Sequence, residues 1–425
     1  MILQTKREYV TIKLSSVPFR TFYSVLQTIK KQKRLISIIF LYVFILVCIS
    51  ACGFIQTEPS SSLEDYHIIQ VEADFSHTMV ITEDGQLWGW GWRNPLLLGE
   101  EADVHQLSPI HIMNDVMSVS SNTISTMVIR TDNSLWTWGL GIYADGTRID
   151  RLHPVHVMDD VIAVSTSTSH SMIIQSDNSL WSLAIEATWR PTLACDSVKD
   201  GIPVHVMDDV MAVSVGGGNN DIFIMVIRTD GSLWAWGSNR AGGLGDGTIQ
   251  PTDTWLSGDG IIQFYEHPIH IMDDVVAVST GLSHTMAIRG DGSLWAWGTN
   301  SGGWLGDGTN QSRCTPVHIM DDVIAVSVGF SHTMAIRGDG SLWAWGDGMR
   351  GQLGTGSFGS SSPVHIMDDV VAVSAGWNHT MAIRTDGSLW GWGEGFLGDG
   401  EDRTQFGRRA MTPIKIIGGA LYHDN

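Results

Sequence analysis

One short string, Leu-Trp-x-Trp-Gly, constrains this chain more than any other feature. LWAWG begins at Leu233, Leu294 and Leu342, LWGWG at Leu87 and Leu389, LWTWG at Leu135, and a degraded LWSLA at Leu180 completes seven copies. Successive leucines lie 48, 45, 53, 61, 48 and 47 residues apart, a period that suits one four-stranded sheet per repeat. The same parts recur around each copy. From Pro316 they read PVHIM, an extended segment; DDV, a turn; IAVSVG and HTMAIR, two more strands; GDGS, a tight turn; and LWAWG, the last strand. Asp-Gly between alternating apolar runs signals a hairpin, because the turn that matches strand twist needs positive φ. Asp132-Asn133 and Asp177-Asn178 replace it in two copies with residues that tolerate the same conformation.

Alternation within the strands shows what covers them. In Trp343-Ala344-Trp345-Gly346 the two indoles share one face and the small residues the other, and Met334-Ala335-Ile336 alternates in size again. Neither face is polar, so each sheet is covered on both sides, as stacked blades require. The expected core is then the tryptophan ladder: Trp88 and Trp90, Trp136 and Trp138, Trp234 and Trp236, Trp295 and Trp297, Trp343 and Trp345, Trp390 and Trp392. A buried Trp hides about 200 Å², worth about 5 kcal/mol gross at roughly 25 cal/mol/Å². The fold expected is all-β, a seven-bladed β-propeller over residues 67–425. Its first copy, HIIQVEADFSHTMVI from His67, lacks the PVHIM strand, and TPIKII (Thr412 to Ile417) is that strand alone. N- and C-terminal strands are therefore expected to share one blade and close the ring.

The start of the chain has a different character. Lys30, Lys31, Lys33 and Arg34 precede an apolar run from Leu35 to Ile49, and Ser50-Ala51-Cys52-Gly53 follows. Basic residues, an apolar core and small residues are the three parts of a secretion signal. ISAC resembles the lipobox of bacterial lipoproteins, which implies cleavage after residue 51, lipidation of Cys52 and a membrane anchor outside the cytoplasm. Leu35 to Ile55 is also long enough for a single uncleaved signal anchor. Residues 52–66 read as a tether.

Charge narrows the partners. The chain holds 25 Lys+Arg against 45 Asp+Glu, and eight of those basic residues precede Cys52. So acidic a surface repels phosphate backbones, excludes nucleic acid as a partner and favours cationic ones. Cys195 and Cys314 stand alone and read as idle thiols, with no metal-ligand spacing near them.

Candidate residues divide into regular and irregular ones. His77, His170, His284, His332 and His379 hold one repeat position, with Ser125 and Phe223 in the remaining two copies; a Phe in the series argues for structural histidines, hydrogen-bonded within each blade. A second series, His111, His156, His205, His270, His318 and His365, ends in Lys415 and is read as outward-facing. Acidic pairs such as Asp321-Asp322, and the LGDG loops with Asp246, Asp307 and Asp399, read as turn chemistry, with no calcium-loop spacing. The chain carries no GxSxG, HExxH or phosphate loop, so it is read as no enzyme, with no cofactor and no metal. Two long spacings hold inserts: Thr188 to Ile202 with Trp189 and Arg190, and Ile249 to His267 with Trp255, Phe264 and Tyr265. Aromatic side chains and Arg on long loops make binding hot spots. These five are the expected partner-binding residues.

The units, with their Gly, His-Thr pair, Asp-Gly turn, LWxWG and LGDG loop, resemble the regulator of chromosome condensation repeat. That resemblance implies a seven-bladed propeller acting as an exchange factor, inhibitor or scaffold; secreted bacterial relatives include protein inhibitors of β-lactamases. For an acidic chain with a secretion signal it favours a monomeric lipid-anchored module that binds a protein or glycan. The alternatives are an extracellular carbohydrate-active enzyme or a protein inhibitor of a secreted enzyme, and guanine-nucleotide exchange fits least.

Overall fold

The computed structural model describes residues 63, 66–75, 77–92, 105–139, 150–167, 170–184, 202–218, 221–239, 242–248, 264–404 and 407–418. Within them the chain is all-β, a propeller of seven four-stranded antiparallel blades. Strands are lettered a to d in chain order; in blade 5 they are Val275–Thr280, His284–Arg289, Leu294–Gly298 and Arg313–Met320. Strands a of successive blades touch one another round the ring, and that of blade 7 touches that of blade 1. They form the inner wall.

The Asp-Gly and Asp-Asn turns join strands b and c as expected. Asn133 and Asn178 take φ of 64° and 65°, and Gly231, Gly292 and Gly340 lie near 80°. In blades 2 to 7 the turn Asp accepts the N–H and the hydroxyl of the Ser two residues on, as Asp339 does from Ser341 at 2.9 and 2.6 Å. That Ser then accepts the indole N–H of the first Trp, Trp343, at 2.9 Å. The second Trp of each regular pair, Trp345 among them, is fully buried between blades. LG-type loops after strand c close over it from the preceding blade: Trp297 donates to Gly243 O at 2.9 Å and Trp392 to Gln352 O at 2.8 Å.

The shared terminal blade is not present. Ala410–Ile417, which contains TPIKII, pairs with Leu389–Gly393 as strand d of blade 7. Ile68–Ala73 pairs with His77–Thr82 as strand a of blade 1. A PVHIM strand thus completes the blade before it, and the boundary between blades falls in the Asp-Asp turn. The second Asp of that turn is left-handed, with φ of 60° at Asp160 and 64° at Asp274, a conformation Asp tolerates because its side chain bonds locally. It turns the chain out of one sheet into the next, where Val323 N–H bonds to Gly292 O of the previous blade at 2.9 Å.

Packing closes the ring instead. Trp90, Val71 and Ile68 of blade 1 share a core with Met381, Ile383, Phe396 and Leu397 of blade 7, and Gly398 lies so close over Trp90 that a Cβ there would sit 2.7 Å from the indole. No strand pairing is needed, because the seam repeats the contacts made between all other blades.

Every strand a carries a bulge at its second residue. The extra residues are Ile69, Met117, Ile162, Met211, Val276, Ile324 and Val371, all large, apolar and between 41 and 63% exposed.

Candidate functional site

Three members of the first histidine series, His284, His332 and His379, bond to the next blade and not within their own. His284 Nε2 lies 3.4 Å from Thr333 Oγ1, His332 Nε2 2.9 Å from Thr380 Oγ1, and His379 Nε2 3.1 Å from Thr78 Oγ1 across the seam. Thr380 and Thr333 direct their hydroxyl protons at the carbonyls of Gln352 and Trp304. The histidine must then donate through Nε2–H, leaving Nδ1 bare. Burial pushes His77, His170 and His379 down to about 4 and His284 and His332 to about 3. All five are held neutral, and His284, His332 and His379 are the bridges between blades. The strand d histidines lie outward as expected: His318 and His365 each bond an Asp three residues on at 2.8 Å and stand edge-on to Trp295 and Trp343.

Of the expected partner-binding residues, Trp189, Arg190 and Trp255 lie outside the described residues, as do Cys52 and Cys195. Phe264 and Tyr265 begin strand d of blade 4, paired with Ser238 and Gly237, so they are not on a loop. Both pack against cores, and Tyr265 donates its phenol proton to Asp246. Asp246 and Asp307 are held inside their own loops by Asn239 and Asn300, as turn chemistry requires.

A different set of residues departs from the repeat. The fifth residue of strand a is Ser in six blades, and each hydroxyl accepts a backbone N–H of the next blade, from 2.8 Å at Ser374 to 3.3 Å at Ser120. In blade 1 this residue is Glu72, whose carboxyl faces the Ser121 backbone of the next blade. Two residues on, blades 4 to 7 have Gly216, Gly281, Gly329 and Gly376. Glycine is required at the last three because a Cβ would lie 2.5 to 2.6 Å from the carbonyl of the next blade. Blades 1 to 3 have Asp74, Asn122 and Ser167 there. Asn122 is fully bonded, to Ile124, Ser125 and Ser167. Asp74 is not: its Oδ2 has no hydrogen-bond partner and lies 4.0 Å from Nδ1 of His77, a buried ring with both nitrogens unbonded.

Enclosure sets the charge of this pair. Burial and the neighbouring Asp74 push Glu72 up to about 8, and burial pushes Asp74 up to about 7. Two carboxylates so placed do not both ionise freely near neutrality. Asp74 still keeps 24% of its side-chain exposure, so an incoming group can reach it.

Aromatic residues stand beside Asp74 on the a-to-b loops. Trp377 of blade 7 stacks on Phe330 of blade 6, with centroids 4.4 Å apart and planes at 16°, and meets Phe75 of blade 1 edge-on at 3.8 Å. Backbone bonds lace the loops together, Phe330 N–H to Gly376 O and Trp377 N–H to Asp74 O, both at 3.3 Å. Three blades thus present one aromatic cluster, partly exposed, next to Asp74. Such an arrangement attracts a cation twice, through the ring faces and through the acids. Among the described residues no trio of His, Cys, Asp or Glu is placed to hold a metal ion.

The signal for this site was available in the sequence. Setting HIIQVEADFSH against VIAVSVGFSH from Val323 shows Glu for Ser and Asp for Gly.

Comparison with known proteins bears on the repeat. The regulator of chromosome condensation (RCC1) repeat matches residues 230–288, 291–336 and 339–383, and a second form of it matches 275–303, 323–352 and 370–398. Human protein RCC2 is 33% identical over 82 residues, 19% of this chain and 14% of RCC2; the zebrafish (Danio rerio) RCC2 homolog is 30% identical over 82 residues, 19% of this chain and 15% of its own. The matched stretch is thus about one seventh of those relatives. Among solved structures, Prp20p of Saccharomyces cerevisiae, studied for binding to Gsp1p and histones, superposes with a TM-score of 0.63 at 17% identity, covering 74% of this chain and 82% of Prp20p. Human WBSCR16 gives 0.59 at 18%, covering 75% and 86%. At these identities the likeness is one of fold.

Proposed function

From the premise that residues 230–398 of this chain are regulator of chromosome condensation repeats, we propose that it is a non-catalytic, protein-binding propeller, anchored outside the cytoplasm through a lipid on Cys52. Its docking face is the a-to-b loop end of blades 6, 7 and 1, and its partner presents a lysine or arginine there. One observation carries the reading: Phe75, Trp377 and Phe330 cluster beside Asp74, which with its neighbour Glu72 replaces the Gly of blades 4 to 7 and the Ser of the other six blades. What departs from a repeat is not needed to build it. Prp20p, a propeller of similar fold, is itself a protein binder. A glycan is favoured less, because the Trp377 face toward Phe330 is already taken by the stack and is no open platform for a sugar.

Two results are expected. Trp377→Ala lowers capture of the partner from surface extract at least tenfold, as loss of a central aromatic does, while the melting temperature barely moves; unchanged capture would remove this face from the reading. Capture also strengthens from pH 6 to pH 8, because a bound cation favours the ionised forms of Glu72 and Asp74, and a flat or falling profile would contradict the role of the acids. For the anchor, the mass of the mature protein should show an acylated N-terminal Cys52, and an intact leader would contradict it.

A further inference from the structure

We propose a second docking surface at the other end of the propeller, one that takes a basic amphipathic segment of a protein partner. Seven apolar side chains stand exposed there, one per blade, each in the bulge of strand a, and six of them two residues after a linking turn. Bulges re-aim side chains, and here the same position is re-aimed outward in every blade. The interblade cores use none of these residues. An exposed apolar residue repeated at one position in every blade is not scattered exposure, and clustered exposed apolar surface marks an interaction site.

Charge decides the occupant. The linking turns and the b-to-c turns lie at this same end, joined by bonds such as Gly338 N–H to Asp322 O at 2.9 Å. Blade 6 brings Asp321, Asp322 and Asp339 against one cation, Arg337, which pairs with Asp322 at 3.4 Å. Asp321 bonds His318, and Asp339 bonds only its own turn. Blades 4, 5 and 7 repeat this excess of carboxylates. An apolar collar inside an acidic rim repels a second copy of this chain and anionic lipid alike, and it complements a segment that carries leucines on one side and lysines on the other.

The test uses the full chain and three labelled peptides: a Lys/Leu amphipathic 18-mer, a Glu/Leu counterpart and a Lys/Ser counterpart. The Lys/Leu peptide is expected to bind in low salt and weaken as salt rises, and the other two at least tenfold less tightly. The triple variant Val276→Ser, Ile324→Ser, Val371→Ser should lose at least tenfold while keeping its melting temperature, since all three are exposed. Undiminished binding to that variant, equal binding of the Lys/Ser peptide, or preferential association with phosphatidylcholine vesicles would overturn the proposal. Trp377→Ala leaves this binding unchanged. Loss here with capture at the aromatic face intact, or the reverse, therefore separates the two surfaces.

Discussion

Acidification from pH 6.5 to pH 4 is expected to unfold the propeller steeply. His77, His284, His332 and His379 are buried and held neutral down to pH 3 to 4, whereas unfolded histidines take up a proton near pH 6.5. The native state is thus fully stable, on this account, above the unfolded value and loses stability as pH falls toward the folded one. Each such group costs about 1.4 kcal/mol per pH unit within that window. Four acting together weigh heavily against a total of about 5–15 kcal/mol. Glu72 and Asp74 act in the opposite sense, since their raised values favour the fold at low pH and cost stability as pH rises through 7 to 8. Urea unfolding across pH 4 to 9 should therefore give a maximum between about pH 6 and 7. His332→Gln, which keeps a donor toward Thr380, should shift the acid limb downward in pH; an acid limb indifferent to that change would remove the buried histidines as its cause.

Trp90→Ala should be the most damaging single substitution at the seam, at about 3–5 kcal/mol for a buried Trp. Its indole is fully buried and lies under Gly398 of blade 7, so the change removes the pad on which the last blade closes against the first. Phe358→Ala, at a residue 68% exposed, is the control and should change stability by less than about 0.5 kcal/mol. Thermal melts of both decide whether side-chain packing closes the ring.

Much of this fold was legible in the sequence because its determinants are local. Asp-Gly turns, LWxWG strands and two-sided apolar alternation each need only neighbouring residues, and seven copies make the count secure. The phase of the repeat was not legible. A cyclic string of four strands reads the same wherever it is cut, and only strand pairing shows that PVHIM belongs to the blade before it. The missing strand in the first copy therefore looked like a seam.

Similar reasoning explains the site. His284 meets Thr333 some 49 residues away, a bond between neighbours in space that no local pattern encodes. Phe264 and Tyr265 drew attention as insert aromatics, yet the fold uses them in a strand. Glu72 and Asp74 were visible as departures from the repeat, but their meaning depends on the ring, which sets Asp74 beside Trp377 from the far end of the chain.

The most direct test replaces Glu72 with Ser and Asp74 with Gly, the residues the other blades favour. If the acids are kept for binding and not for folding, the double variant should be more stable than the parent at pH 8, because two enclosed carboxyls are gone, and should lose the partner. Restored repeat geometry with undiminished capture, or a fold weakened at pH 8, would contradict the account.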